Sequence, residues 1–176
     1  MTNIKNRKER LQEIWADTPW EDVAAYIGPN AERFRSAWEK QRGMILKKGR
    51  GLTWSFSWPA LFLSYVWFFY RKQWLIGGML IVLPVVLLFL FPTATGGFGG
   101  LAIVIAMMAK CLYLQDALPR IAKTRAAETD GGARQAALAR SGGTSKLAAI
   151  ISGVFFAVSI LAVIVSATRS DGFGQN

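Results

Sequence analysis

Histidine is absent from these 176 residues, and cysteine occurs once, as Cys111. Without histidine there is no imidazole metal ligand and no His-based catalytic triad. A single cysteine excludes an intrachain disulfide and leaves the redox compartment unread. Acids are scarce: 11 Asp and Glu stand against 21 Lys and Arg, a formal charge of +10. Between Gly51 and Leu118 the only charges are Arg71, Lys72, Lys110 and Asp116. Paired carboxylates for acid–base chemistry are therefore missing from that stretch. Cys111 follows Lys110, which could lower a thiol pKa. Packing as a small hydrophobe is the plainer use of a cysteine in an apolar segment. With these groups gone, no metal or cofactor is expected and the chain reads as no enzyme. The first fifty or so residues are polar and charged, so no signal peptide is expected.

What is abundant is apolar sequence, 52% of the chain, gathered into blocks. Trp54–Trp74 is the densest feature, with 10 of the 22 aromatic residues in 21 positions. Trp and Tyr collect at membrane–water boundaries because each joins an apolar body to a polar tip. Four apolar segments follow in order: 56–70, 74–91, 101–118 and 147–167. At about 1.5 Å per residue the first is only ~22 Å long. A hydrocarbon core is ~30 Å thick, so this segment is too short to cross comfortably. The second and third, at ~27 Å, are adequate with flanking help, and the fourth is sufficient.

Charge placement bears on topology. Residues 1–50 carry 11 Lys and Arg, Arg71 and Lys72 two, residues 119–146 six, and the tail only Arg169. If 56–70 re-enters the side it came from, 19 of the 21 stay on the inner side. If it crosses, eight move outside. The positive-inside rule favours re-entry. The expected architecture is thus all-α: three transmembrane helices (74–91, 101–118, 147–167) and one short aromatic-rich re-entrant or interfacial segment (56–70). A fourth, tilted span is the alternative. The N-terminus lies inside and the tail outside. Because the basic residues flank apolar segments, topology explains the charge better than nucleic acid, which is not an expected partner.

Residues 1–50 read as a cytoplasmic or membrane-surface region of short amphipathic helices ending in a basic linker, 47–51. Ile4, Leu11, Ile14 and Trp15 form a sparse stripe. Thr18-Pro19-Trp20-Glu21 predicts a capping box with Pro at the first helical position. Trp20, Val23, Ala24 and Ile27 share one face. Gly28-Pro29 stops that helix, and Asn30 can cap a third, with Ala31, Phe34, Ala37 and Trp38 on one side and Gly43 as its end. Such short helices need each other, a bilayer or a partner. Residues 51–176 read as the membrane domain. Residues 92–100 form an outer loop of turn residues. The third helix runs past the membrane to Glu128, with Pro119 able to kink it. Thr129–Gly132 breaks it, and a basic helix over 133–140 completes the inner loop 119–146. Ser141–Ser145 can cap the last span.

Tyr26-Ile-Gly-Pro-Asn30, Ser55-Phe-Ser-Trp-Pro-Ala60, Phe69-Tyr-Arg-Lys-Gln-Trp74 and Ala139-Arg-Ser-Gly-Gly-Thr-Ser145, in this order, resemble the bacterial inner-membrane proteins grouped as domain of unknown function 2628. The likeness covers most of residues 22–150. It implies a multi-pass protein of the bacterial inner (cytoplasmic) membrane with a cytoplasmic N-terminus, and supplies no reaction. Leu63-Ser64-Tyr65-Val66-Trp67 departs from the Gly-Pro turn common in that family.

Candidate sites follow from the charges and small residues. Arg71 and Lys72, walled by Tyr70 and Trp74, could hold an anionic lipid headgroup; the alternative is a topology anchor. Lys110, ~14 Å into its helix from Leu101, falls near mid-bilayer. There it costs at least ~2.5 kcal/mol unless it snorkels or meets a polar partner. Ala149, Gly153 and Ala157 recur every fourth residue, as Ala102 and Ala106 do on the third span. Small residues of this kind allow close helix packing, within the protein or against a partner. Pro84 and Gly77-Gly78 suggest a kink and a close contact in the second span. The leading expectation is a non-catalytic accessory or scaffold subunit that binds membrane-protein partners, or itself, and anionic phospholipid. A small oligomeric transporter or channel with an anion path near Lys110 is the alternative, and a lipid-modifying enzyme a third.

Overall fold

Sixteen residues at the N-terminus form α1 (Thr2–Asp17), followed by α2 (Trp20–Ile27) and α3 (Glu32–Lys48). The computed structural model describes the backbone of residues 2–90 and 98–172, and the side-chain surroundings of residues 8–161 apart from 88 and 91–99. The side chain of Ile4, and Phe91 with residues 92–97 of the outer loop expected at 92–100, lie outside what is described. Within the described residues every regular element is helical.

Two expectations about these first helices are corrected. Thr18 makes no capping box: its Oγ1 donates back to the Ile14 carbonyl at 2.7 Å, and extended Pro19 is the N-cap of α2. Gly43 does not end α3. Ile45 is buried in the core, so the helix must continue past Gly43 to place it there. Gly49 ends α3 instead, left-handed at φ 66, its N–H on the Ile45 carbonyl. Gln12 of α1 donates to the carbonyls of Ile45 and Leu46, satisfying groups that a helix end leaves open. The basic linker therefore shrinks to the residues around Gly49.

Helix α7 (Phe98–Ala127) is the spine of the molecule, 30 residues long with Pro119 inside it. Its beginning takes the last three residues of the expected outer loop into a helix. α8 (Gly131–Ser141) starts on an Asp130 cap, whose carboxylate accepts from the Ala133 N–H at 2.8 Å. α1, α2, α3 and α8 pack on the second half of α7. Trp15 stacks on Trp38 with ring centroids 4.8 Å apart. Val23, Ile27 and Phe34 share one buried cluster with Tyr113, Leu114, Leu118, Ile121 and Leu138. The composition break at residue 51 is therefore not a structural boundary. The N-terminal helices have their missing partner in the C-terminal half of α7, because that half presents the apolar face they need.

The aromatic-rich segment folds as a hairpin of two six-residue helices, α4 (Trp58–Leu63) and α5 (Tyr65–Tyr70). Ser64, at φ 45, separates them. Before α4 the chain lies extended along α7. Thr53 N–H meets Cys111 Sγ at 3.4 Å, Ser55 N–H donates to Met107 O at 2.8 Å, and Ser57 N–H to Ala106 O at 3.0 Å. After α5 it returns: Gln73 donates to Tyr113 O at 3.3 Å and to Asp116 at 3.4 Å. Departure at Cys111 and return at Tyr113 leave the hairpin on one side of that level. Each arm, at ~9 Å, is far too short to cross ~30 Å of hydrocarbon.

α6 (Trp74–Leu90, with Pro84 inside) and α9 (Lys146–Gly172) both pack on α5. α7 and α9 are long and apolar enough to cross a membrane by length and composition, and α6 is a shorter apolar helix. Leu75 is 73% exposed and Phe89 87%, and Val85, Ile150, Val154 and Leu161 are open too. A helix apolar on every side and packed on only one is a poor fit to water. Gly77 approaches Phe69 so closely that a Cβ would stand 3.1 Å from its ring, whereas Gly78 faces open space.

Of the two uses expected for the small residues, packing of one span on the other within the protein is not seen among the described residues. The partner of α9 is α5, met through buried Ala148 and Ser152, one position before Ala149 and Gly153. A Cβ on Gly153 would touch nothing, and Ala157 is exposed. Ala106 is buried, but against Ser57 and its neighbours rather than α9.

Candidate functional site

Three of the segments noted in the sequence meet at one knot where the helical bundle joins the apolar helices. Gly143 N–H donates to Tyr26 O at 2.7 Å, and Ser145 N–H to Tyr70 O at 2.8 Å. Lys72, left-handed at φ 59, sends Nζ to Gly142 O at 2.6 Å and Arg140 O at 3.3 Å. This ammonium neutralises the carbonyl end of α8. Arg71 does the same for α2, its Nη1 donating to Ile27 O at 3.1 Å. Gly142 is required by space: a Cβ there would lie 2.1 Å from the Tyr26 carbonyl oxygen. Burial pushes the Tyr26 phenol above its ordinary pKa, with Arg120 opposing the shift. A little further from the knot, Asp22 is enclosed (side chain 2% exposed) and ion-paired to Arg125 at 3.0 Å and Arg134 at 3.4 Å. Arg125 also donates to Asp17 O.

Beside the knot lies a cavity of about 580 Å³ between the start of α3 and the α4–α5 hairpin. Asn30, Arg33 and Phe34 form one wall, and Ser57, Trp58, Pro59 and Leu63 another. Phe56 ahead of α4, Trp67 and Tyr70 of α5, Arg71 just after that helix, and Lys110 of α7 complete it. Arg71 is only 7% exposed and is boxed by rings: its guanidinium carbon lies 4.9 Å from the Phe34 centroid, 5.4 Å from Tyr113 and 6.0 Å from Trp67 and Tyr70. Aromatic faces compensate a desolvated guanidinium in part. Its Nε is buried with no hydrogen-bond partner. Lys110 Nζ lies 5.9 Å from the same Phe34 ring. Arg33, Arg71 and Lys110 thus converge on a cavity that no Asp or Glu lines. None of the three forms an ion pair among the described residues.

The four residues singled out in the sequence as a possible headgroup set part company here. Tyr70 and Arg71 line the cavity; Lys72 is spent on carbonyls of α8, and Trp74 stands 58% exposed on α6, beside Phe69 at 5.5 Å. Lys110 does not lie deep among apolar helices. It faces α3, because the bundle reaches up α7 as far as Phe34. Asp116 pairs with Arg120 at 2.9 Å, not with Lys110. Arg33 and Asn30 went unnoticed as site residues. Their only sequence signal was the Gly28-Pro29 turn that starts α3, which says nothing about what α3 will face.

The chain matches no protein-family model, no curated protein and no solved structure, so its functional reading rests on its own residues.

Proposed function

We propose that this chain is a three-span protein of the bacterial inner membrane, with its N-terminus and its 119–146 loop on the cytoplasmic side. In this reading it is a non-catalytic accessory or scaffold protein that binds anionic phospholipid of the inner leaflet. The carrying observation is the convergence of Arg33, Arg71 and Lys110 on one acid-free cavity at the foot of the apolar helices. Three cations brought together without a counter-charge repel each other, and an anion relieves that cost. Aromatic rings around the cations and apolar side chains on the hairpin suit a headgroup joined to acyl chains. The re-entrant reading of 56–70 is supported by the pairing of Arg71 with α2 and Lys72 with α8. These contacts hold the hairpin's end against the water-side bundle. The scaffold part of the proposal draws on the exposed faces of α6 and α9, bordered by half-buried Ala149 and Gly153 and exposed Ala157, which could receive a partner helix or a second copy.

The test is lipid retention by the full chain. Purified in mild detergent with equal phosphatidylglycerol and phosphatidylcholine, the protein should keep phosphatidylglycerol preferentially in native mass spectra. The R33Q/K110Q double variant, altered where neither side chain is fully buried, should lose most of that preference. Equal retention of the two lipids by the unaltered protein would remove the proposal.

A further inference from the structure

We propose that the same cavity selects a phosphate monoester over a phosphodiester, so that its ligand is a dianionic headgroup of the phosphatidic acid kind. This rests on the anionic-lipid reading above and sharpens it. The first ground is charge. Elsewhere this protein meets its enclosed or half-buried charges with an opposite charge or with carbonyls: Asp22 with Arg125 and Arg134, Asp116 with Arg120, Lys72 with Arg140 O and Gly142 O. The cavity departs from that pattern, with three cations and no acid. Arg71 and Lys110 both lie against the Phe34 ring, at 4.9 and 5.9 Å from its centroid, and both line the cavity with Arg33. A phosphodiester brings one negative charge and leaves two cations uncompensated. A monoester brings about 1.5 to 2 at neutral pH, which compensates most of the set.

The second ground is donor geometry. Arg71 donates Nη1 to Ile27 O, and its unpartnered Nε is closed off, so the 7% of this residue that stays open is what can meet a ligand. Arg33 and Lys110 add further donors from α3 and α7. A monoester offers three terminal oxygens to donors arriving from three helices, and a diester two. Two sources share this chemistry, a monoester lipid and a soluble phosphate monoester.

The full-length protein in detergent is mixed with equal dioleoyl phosphatidic acid, phosphatidylglycerol and phosphatidylcholine, and bound lipid is read by native mass spectrometry. Phosphatidic acid should exceed phosphatidylglycerol by about tenfold, the worth of one added charge-assisted hydrogen bond. The preference should collapse in R33Q/K110Q. Equal phosphatidic acid and phosphatidylglycerol, both above phosphatidylcholine, overturns the monoester inference and leaves the anionic-lipid reading standing. No preference among the three overturns both. An undiminished preference in R33Q/K110Q also rejects the site. Glycerol 3-phosphate added at millimolar concentration separates the sources. Displacement of phosphatidic acid marks a soluble monoester and retention marks the lipid, and either one upholds the charge selection.

Discussion

The two ends of α7 are held in opposite ways. Around its second half, α1, α2, α3 and α8 share a core with it that also takes in Trp67 and Phe68 of α5, a buried acid ties α2, α7 and α8 together, and four backbone or side-chain hydrogen bonds close the knot at Gly142–Ser145. Around its first half, α6 and α9 lean on a six-residue helix and leave most of their apolar surface open. The bundle covers most of its apolar side chains; the apolar half leaves many of its own open, a surface that lipid or a partner would cover. The candidate site lies between these two regimes, where Arg33 of α3 and Lys110 of α7 face the aromatic hairpin and the Arg71 that ends it.

Substitutions can break or sharpen this contrast. The largest effect is expected at Trp15, buried and stacked on Trp38. Trp15→Ala should cost about 3–5 kcal/mol, read as a large fall in the melting temperature of the detergent-solubilised protein. Asp22→Asn comes next. It strands Arg125 and Arg134 beside a neutral amide, and because both arginines are partly exposed the cost should be about 2–3 kcal/mol by the same measurement, below the range for fully buried pairs. A paired test follows at two glycines. Gly142→Ala, which drives a Cβ into the Tyr26 carbonyl, should cost about 1–3 kcal/mol. Gly78→Ala, in open space on α6, should be neutral or stabilise by up to about 1 kcal/mol through helix propensity. If Gly78→Ala proved the more damaging of the two, the apolar half would be the tightly packed one and the contrast would be reversed.

Much of the helix pattern was legible in the sequence, because apolar periodicity and Gly–Pro breaks report on local structure. α2, α6 and the Asp130-capped α8 lie close to where their residues place them. Misreadings arose where distant contacts overrode local signals. Gly43 looked like a stop, yet burial of Ile45 carries α3 onward. Thr18 looked like a cap, yet its hydroxyl finds the Ile14 carbonyl. Lys110 looked deeply placed because its depth was counted along one helix, and nothing local tells that Phe34 lies beside it. Likewise Tyr70-Arg71-Lys72 was visible as a motif, but that Arg71 turns inward to Ile27 while Lys72 turns to Gly142 depends on where α2 and α8 end. The stripe of Ala149, Gly153 and Ala157 shows the same limit: spacing identifies a small face without saying which face α5 will choose.

The central claim is that the aromatic hairpin returns to the side it left, so that the bundle and the 119–146 loop share one compartment and the tail lies in the other. Single cysteines at Glu9, Gln135 and Asn176, in a Cys111→Ala background, can be labelled with a membrane-impermeant maleimide in oriented vesicles. Positions 9 and 135 should react from the same face and position 176 from the opposite one. Reaction of position 135 from the face opposite position 9, or of position 176 from the same face as position 9, would contradict the account.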